Sequence, residues 1–321
     1  MEANKNVSAE KASKDGEHLK TLVIGSGPAG LSAALYAARA DLEPLVLSGQ
    51  EFGGQVSITH IVENYPGFPE GIGGPELVQL FQKQAERFGA RVVFDTAIKV
   101  DFSKKPYKVE TYNGEYTADT IIIATGASPR NLQIPGEKKF TGKGVSYCGT
   151  CDGFFFKDKN IVVVGGGDSA MEEGSFLTRF ANKVTVIHRR DELRASAIME
   201  KRAFDNPKME FIWDTVVESV NGNGVVESLH LKNVKNGEES DFETEGIFIF
   251  IGHVPNTDIF QGQLELSKEG YIEANKFMET SVPGVFAAGE VADPNFRQVI
   301  SSSGMGASAA IQATRYLENQ E

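Results

Sequence analysis

The chain repeats one hydrophobic pattern: a short, continuous apolar run, a glycine-rich turn, then apolar residues at helical spacing. The first copy is a strand at 21–24, the turn Gly25-Ser26-Gly27-Pro28-Ala29-Gly30, and a helix marked by Leu31, Ala34, Leu35 and Ala38. A second strand at 44–47 follows at the distance a βαβ unit requires, and 49–74, rich in Gly and Pro, reads as extended loop. Residues 75–88 resume as a helix. Asn113-Gly114 between two short strands is a hairpin signal, and a further strand at 120–124 ends in Thr125-Gly126-Ala127.

The pattern then starts again. A β-branched strand at 160–164 enters Gly165-Gly166-Gly167-Asp168-Ser169-Ala170, a helix continues through Met171, Gly174 and Leu177, and 183–187 is its second strand. Strands are expected at 211–213, 225–231 and 247–251, before the linker Gly252-His253-Val254-Pro255-Asn256. The last segment holds a strand at 284–288, the turn Gly289-Glu290-Val291-Ala292-Asp293 and a helix over 304–316. This order predicts an α/β protein of two Rossmann-like, three-layer dinucleotide-binding domains, the second inserted into the first. The expected boundaries are 20–129 with 254–321 for the discontinuous domain and 130–253 for the insert.

Composition narrows the function. A chain of 321 residues exceeds the size of most single cores, and its 40% apolar content can supply two. The 34 glycines cluster in turns, unlike those of a fibrous chain. Net charge is −12 and no run of five or six basic residues occurs, which disfavours nucleic acid as a partner. No apolar run approaches the ~20 residues of a membrane span. Residues 1–19 are polar, lack an apolar signal core, and are expected to form a disordered tail. Two cysteines in the whole chain suit a reducing, cytoplasmic setting and a chemical rather than a stapling role.

Each glycine loop sits between a strand and a helix, the context that gives GxGxxG its meaning. Gly25 permits the tight turn, Gly27 lets backbone approach a pyrophosphate, and Gly30 allows close helix packing. The helix N-terminus offers free N–H groups and a favourable dipole. The bland alternative is a tight turn without a ligand. At the end of the second strand, where an acid usually meets the ribose, this chain has Ser48, with Glu51 nearby. The second loop matches GxGxxA through Gly165, Gly167, Asp168, Ser169 and Ala170, and its second strand runs into His188-Arg189-Arg190, with Arg194 beyond. Cations in place of an acid select the 2′-phosphate of NADPH over NADH, each contact contributing roughly 1.5–3 kcal/mol. The alternative there is a solvated basic helix start, and His188 by itself reads equally as a strand-end residue or a ligand.

Cys148-Gly149-Thr150-Cys151 is open to three readings. Zinc would need two more ligands, and with five scattered histidines and no further cysteine no metal site is expected. An inert buried pair is the second. A redox dithiol is the third and the favoured one, because CxxC spacing closes a small, easily reduced ring. Asp152 directly follows and can move the proton released or taken up by the thiols, or cap the next turn.

Over about residues 20–318 the chain resembles the low-molecular-weight, bacterial-type thioredoxin reductases. The residues that carry the resemblance are Gly53-Gly54-Gln55, Val62-Glu63-Asn64-Tyr65-Pro66-Gly67, Ala124-Thr125-Gly126-Ala127, the CxxC followed by Asp-Gly-Phe-Phe, the GGGDSA loop, HRRDxLRA and Gly252-His253. The resemblance implies FAD in the discontinuous domain, NADPH and the dithiol in the insert, a homodimer, and domain rotation that lets nicotinamide and disulfide use the flavin in turn. It adds Gln55, Asn64, Gly289, Glu290, Arg297 and Gln298 to the expected FAD contacts. This sequence departs from the family at Glu290, where aspartate is common, and at Gly149, where alanine is usual. The implied activity is NADPH-dependent reduction of thioredoxin or a similar small dithiol protein. The alternatives are a glutaredoxin-like, peroxidase-coupled or small-molecule acceptor, and a flavin redox sensor without turnover.

Overall fold

The computed structural model describes residues 16–59 and 61–320. They fall into two compact units: 16–57 with 75–127 and 255–320, and 58–74 with 128–254. The sequence-based boundaries place Ile58–Gly74 in the first unit instead. Among the described residues its only ladder contact is internal, the bridge between Val62 and Ile72, and no strand there ties it to a sheet. Most of the expected tail lies outside the described residues, but the first strand, Glu17–Ile24, takes in residues 17–19. Leu19 is buried in the core and the Glu17 carboxylate accepts two bonds from the Arg91 guanidinium, at 2.8 and 3.1 Å.

The first unit is built on a seven-stranded sheet. Leu45–Leu47, Glu17–Ile24, Glu115–Ile123 and Val285–Ala287 run parallel and side by side, and residues 22–24, 45–47, 121–123 and 285–287 are buried on both faces, which is why those stretches read as continuous apolar sequence. Alternate residues serve opposite cores. Val23, Val46, Ile122 and Phe286 pack on the helices Pro28–Arg39 and Val299–Glu318, and Leu22, Ile24, Ile121 and Ile123 pack toward Phe260, Leu264 and Ile272. Each fully buried side chain of this size contributes about 1.5–3 kcal/mol. Two expected strands prove to be one: Glu115–Ile123 pairs antiparallel with Tyr107–Thr111 through its first half and parallel with Val285–Ala287 through its second.

The second unit has a five-stranded parallel sheet in the order Met209–Ile212, Lys183–Ile187, Asn160–Val164, Ile247–Ile249, Val145–Ser146. One face, through Val163, Val184, Val186 and Phe248, meets Ala170, Met171, Leu177 and Ala203 from the helices Asp168–Leu177 and Ala197–Phe204. The other, through Val162, Val164, Ile187 and Ile249, meets Val217, Val220, Leu229 and Leu231 of an antiparallel meander. The chain crosses between the units four times, after Ser57, Gly74, Ala127 and Val254, and the last two crossings fall in Ala127–Pro129 and His253–Pro255, which pair with each other.

Candidate functional site

In the first unit, register brings separate motifs to one sheet edge. Ile24 pairs with Leu47 and with Ile123, and Ile123 with Ala287, so the four strands end level. Gly25, Ser48, Ala124-Thr125-Gly126 and Gly289-Glu290 therefore collect at their carboxyl ends, where open α/β sheets bind ligands. Gly25 has φ +113°, and a Cβ there would run into the Ala124 carbonyl, so only glycine fits. Gly27 has nothing within 4 Å of where a Cβ would stand. The helix Pro28–Arg39 starts at this open point with Pro28 in its first turn. A closed turn at Gly25 and an open approach at Gly27 fit a pyrophosphate.

The neighbouring side chains hold that edge together. The buried Ser26 hydroxyl donates to the Ser48 carbonyl at 2.8 Å and accepts the Gly53 N–H at 3.0 Å. Gly54 follows with φ +60°, and the Gln55 amide donates to the Ala127 carbonyl at 3.0 Å. Ala29 and Gly30 are packed inward, Ala29 against Gly306 and Gly30 against the Gly25 carbonyl. Thr125 and Asn256 clasp each other by two side-chain to backbone bonds of 2.8 Å. Gln298 caps the helix Val299–Glu318 reciprocally with Ser301, and Arg297 precedes it at φ +47°. Burial pushes the Glu290 carboxyl up to about 7; Arg297 opposes the rise and Asp293 adds to it. Asn64 lies in Ile58–Gly74, with the second unit. Sequence reasoning missed Asp95, whose carbonyl accepts the Gly49 N–H at 3.0 Å. Its buried carboxylate keeps one oxygen without a partner among the described residues, an acid beside Ser48 supplied by a different strand segment.

The second unit repeats the arrangement. Ile187 pairs with Val164 and Ile212, and Val164 with Ile249, so Gly165, His188 and Phe250 share an edge. Gly165 has φ +150° and a Cβ would meet the Phe250 carbonyl and Ala170, whereas Gly167 again faces open space. Ala170 is fully buried and fills the place of the third glycine; Ser169 is exposed at the helix start. Asp168 accepts the backbone N–H of Ser196 at 2.6 Å and its hydroxyl at 2.9 Å. The Arg194 N–H donates to the Gly166 carbonyl at 2.6 Å. Arg189, Arg190 and Arg194 are exposed, and none pairs with a carboxylate among the described residues. His188 differs from them: its ring lies buried where a Cβ on Gly166 would point, edge-on to Trp213 at 6.5 Å. Burial, then Arg190, Arg189 and Arg194, lower its pKa and keep it neutral. Three exposed guanidiniums beside an open glycine loop can hold a phosphate dianion.

Cys148 and Cys151 are joined as a disulfide with Cα atoms 5.3 Å apart. Cys148 caps the helical turn Gly149–Asp152, its sulfur accepting the Cys151 N–H at 3.2 Å. Ser146, buried at the end of Val145–Ser146, donates to the Asp152 carboxylate at 2.6 Å and accepts the Cys148 N–H at 3.1 Å. Asp152 is thereby anchored to the redox turn. Nothing in the sequence marks Ser146 beyond its position two residues ahead of a cysteine. Glu173 was missed as well: its carboxylate lies over Gly149, where an added Cβ would strike it. Among the described residues no cluster of His, Cys, Asp and Glu could hold a metal ion, and no helix is long and apolar enough to cross a membrane.

Residues 19–312 match the pyridine nucleotide-disulphide oxidoreductase family. A thioredoxin reductase of Peptoclostridium litorale is 49% identical over 302 residues, covering 92% of this chain and 96% of the relative. One of Streptomyces coelicolor is 50% identical over 299 residues, covering 92% and 93%. Among solved structures, a thioredoxin reductase from Streptococcus pyogenes superposes with a TM-score of 0.89 at 44% identity, covering 95% of this chain and 99% of that one. The enzyme from Giardia duodenalis gives 0.87 at 40%, covering 94% and 99%.

Proposed function

The chain belongs to the pyridine nucleotide-disulphide oxidoreductase family, and from that membership we propose how its own residues carry the activity. That activity is thioredoxin reduction, with FAD and NADPH as cofactors and thioredoxin as partner. The single observation that carries the proposal is the Cys148–Cys151 disulfide on the same unit as the arginine-flanked glycine loop.

The first-unit edge, with Gly25, Ser26, Gly27, Pro28, Ala29, Gly30, Ser48, Gly54, Gln55, Ala124, Thr125, Gly126, Gly289, Glu290, Arg297 and Gln298, is assigned to FAD; its closed turn and open approach support this. Asn64 is assigned there by resemblance alone. The second-unit edge, with Gly165, Gly167, Asp168, Ser169 and Ala170, is assigned to the NADPH pyrophosphate. Arg189, Arg190 and Arg194 take its 2′-phosphate, and His188 acts beneath the loop as packing. When bound, FAD supplies the relay that accepts a hydride from NADPH and passes two electrons on.

The disulfide accepts those two electrons and two protons and opens to a dithiol. Asp152, held by Ser146, exchanges the proton as one sulfur alternates between thiolate and thiol. A thiolate of the pair attacks the disulfide of thioredoxin, forming a mixed disulfide and releasing a partner thiolate. The second cysteine then attacks its neighbour, restoring the 148–151 bond and freeing reduced thioredoxin. Alternation of nicotinamide and disulfide at the flavin by domain rotation, a homodimer and a cytoplasmic setting complete the reading. The two-cysteine content supports the setting, and the family resemblance supports the rest.

An anaerobic NADPH titration followed by absorbance tests the core of it. Uptake of about two equivalents, one for FAD and one for the disulfide, is expected. Uptake of one equivalent, with no new thiols, would remove the dithiol from the electron path.

A further inference from the structure

The cofactor-facing arginines are followed at once by an acid, Asp191. A carboxylate in that place can pair with a neighbouring guanidinium and repel a phosphate dianion, undoing what the arginines offer. The structure shows the acid occupied from elsewhere. Lys235, on the turn between Ser228–Asn233 and Glu239–Glu243, places its ammonium 2.7 Å from Asp191 and 3.1 Å from Asp214. Asp214, at φ +52°, donates its N–H to the Arg190 carbonyl at 3.2 Å and accepts the Val234 N–H at 2.6 Å. The lysine turn and the arginine turn are thus joined through both side chain and backbone.

We propose that Lys235 is a positioning and specificity-determining residue for NADPH: by binding Asp191 and Asp214 it leaves Arg189 and Arg190 unpaired and fixes the turn that presents them to the 2′-phosphate. The inference rests on the assignment of that phosphate to the second-unit arginines. Three observations converge on it. The nearest acid is paired with Lys235, the arginines have no carboxylate partner among the described residues, and Asp214 holds the Arg190 backbone directly. The hydrogen bond from Lys235 also keeps the Asp191 carboxyl below its ordinary range, so the acid stays charged and engaged.

Sequence separation hides this. Lys235 lies more than forty positions from Asp191, in a surface turn whose lysine and asparagine content reads only as solvated loop. The meander behind it folds back over the nucleotide sheet and delivers the ammonium to the strand end.

The test is calorimetric binding to the FAD-loaded protein of two probes, adenosine 2′,5′-bisphosphate and adenosine 5′-monophosphate, which differ by the phosphate in question. Lys235→Gln should weaken the bisphosphate about threefold to tenfold at low salt and leave the monophosphate unchanged; raising salt should narrow the gap. Lys235→Arg should keep wild-type affinity. Adding Asp191→Asn to Lys235→Gln should restore much of the loss, since the liberated carboxylate is then gone. In turnover, Lys235→Gln should raise KM for NADPH with little change in kcat. Equal binding of the bisphosphate by Lys235→Gln and wild type, alongside a clear loss in Arg189→Ala/Arg190→Ala, overturns the role of Lys235 alone. If the double arginine variant also binds normally, the 2′-phosphate is placed wrongly and the proposal falls with that assignment.

Discussion

Ser196 gives both its backbone N–H and its hydroxyl to one carboxylate oxygen of Asp168, at 2.6 and 2.9 Å. The bond joins the first turn of the helix behind the glycine loop to the segment that carries Arg194, and the Arg194 N–H on Gly166 closes the same link from the other side. The backbone bond, then the hydroxyl, hold the Asp168 carboxyl below its ordinary range. Asp168 thereby stays ionised and clamps the helix start to the Arg194 segment.

The clamp predicts a graded response. Asp168→Ala loses both bonds and should raise KM for NADPH roughly tenfold with kcat nearly unchanged, whereas Ser196→Ala keeps the backbone bond and should cost less. Steady-state kinetics over a range of NADPH decide it; equal effects from the two variants would speak against the backbone contribution.

Either Cys148→Ser or Cys151→Ser should abolish thioredoxin reduction while leaving the protein yellow. The anaerobic NADPH titration should then end at about one equivalent, because only the flavin remains to be reduced. Residual thioredoxin turnover in both variants would mean that electrons leave by another route.

Gly149 marks a local trade between backbone and side chain. A Cβ there meets closely only the far end of the Glu173 side chain, so Gly149→Ala should turn the Glu173 carboxylate aside at a small but measurable cost in stability. In a Glu173→Ala background the same change should cost much less. Denaturant unfolding of the four proteins gives the coupling, and additive effects would show that the two positions do not compete for space.

Glu290 predicts a pH dependence of stability. Its folded carboxyl lies near 7 through burial, above the ordinary 4.5, so the folded state holds its proton longer than the unfolded chain does. Stability from this group is therefore present below about 4.5 and lost as pH rises toward 7. Glu290→Gln, which stays neutral, should match wild type near pH 5 and melt higher near pH 8, the difference opening across that window. A pH-independent difference in Tm would place the origin elsewhere.

Much of the fold was legible because parallel strands buried on both faces leave an uninterrupted apolar signal. Lys183–Ile187 and the start of the helix after Gly27 stand where the pattern puts them. Edges were harder. The last helix begins at Val299 rather than near Gly304, because three serines and a glycine are poor helix formers in isolation and the Gln298/Ser301 capping pair compensates only once the turn is formed. The strand expected at 225–231 lies at Ser228–Asn233, where pairing with Glu239–Glu243 sets its register. His188 read as a companion of Arg189, Arg190 and Arg194, yet Gly166 leaves room for its ring inside, and burial decides its charge.

The sequence by itself determined the chemistry: two glycine loops between strand and helix, the paired thiols three positions apart, and the arginines that follow the second loop, all of which are local patterns with local physical causes. Only the tertiary structure decided which acids are engaged by a partner and which side chains support the reacting ones. Ser196 on Asp168, Lys235 on Asp191, Ser146 on Asp152 and Glu173 over Gly149 differ in how far apart their partners lie in the chain, from six residues to more than forty. The first three depend on directional bonds at about 3 Å and the last on close apposition, which arise only after packing has set the elements in register, and no hydrophobic period encodes them.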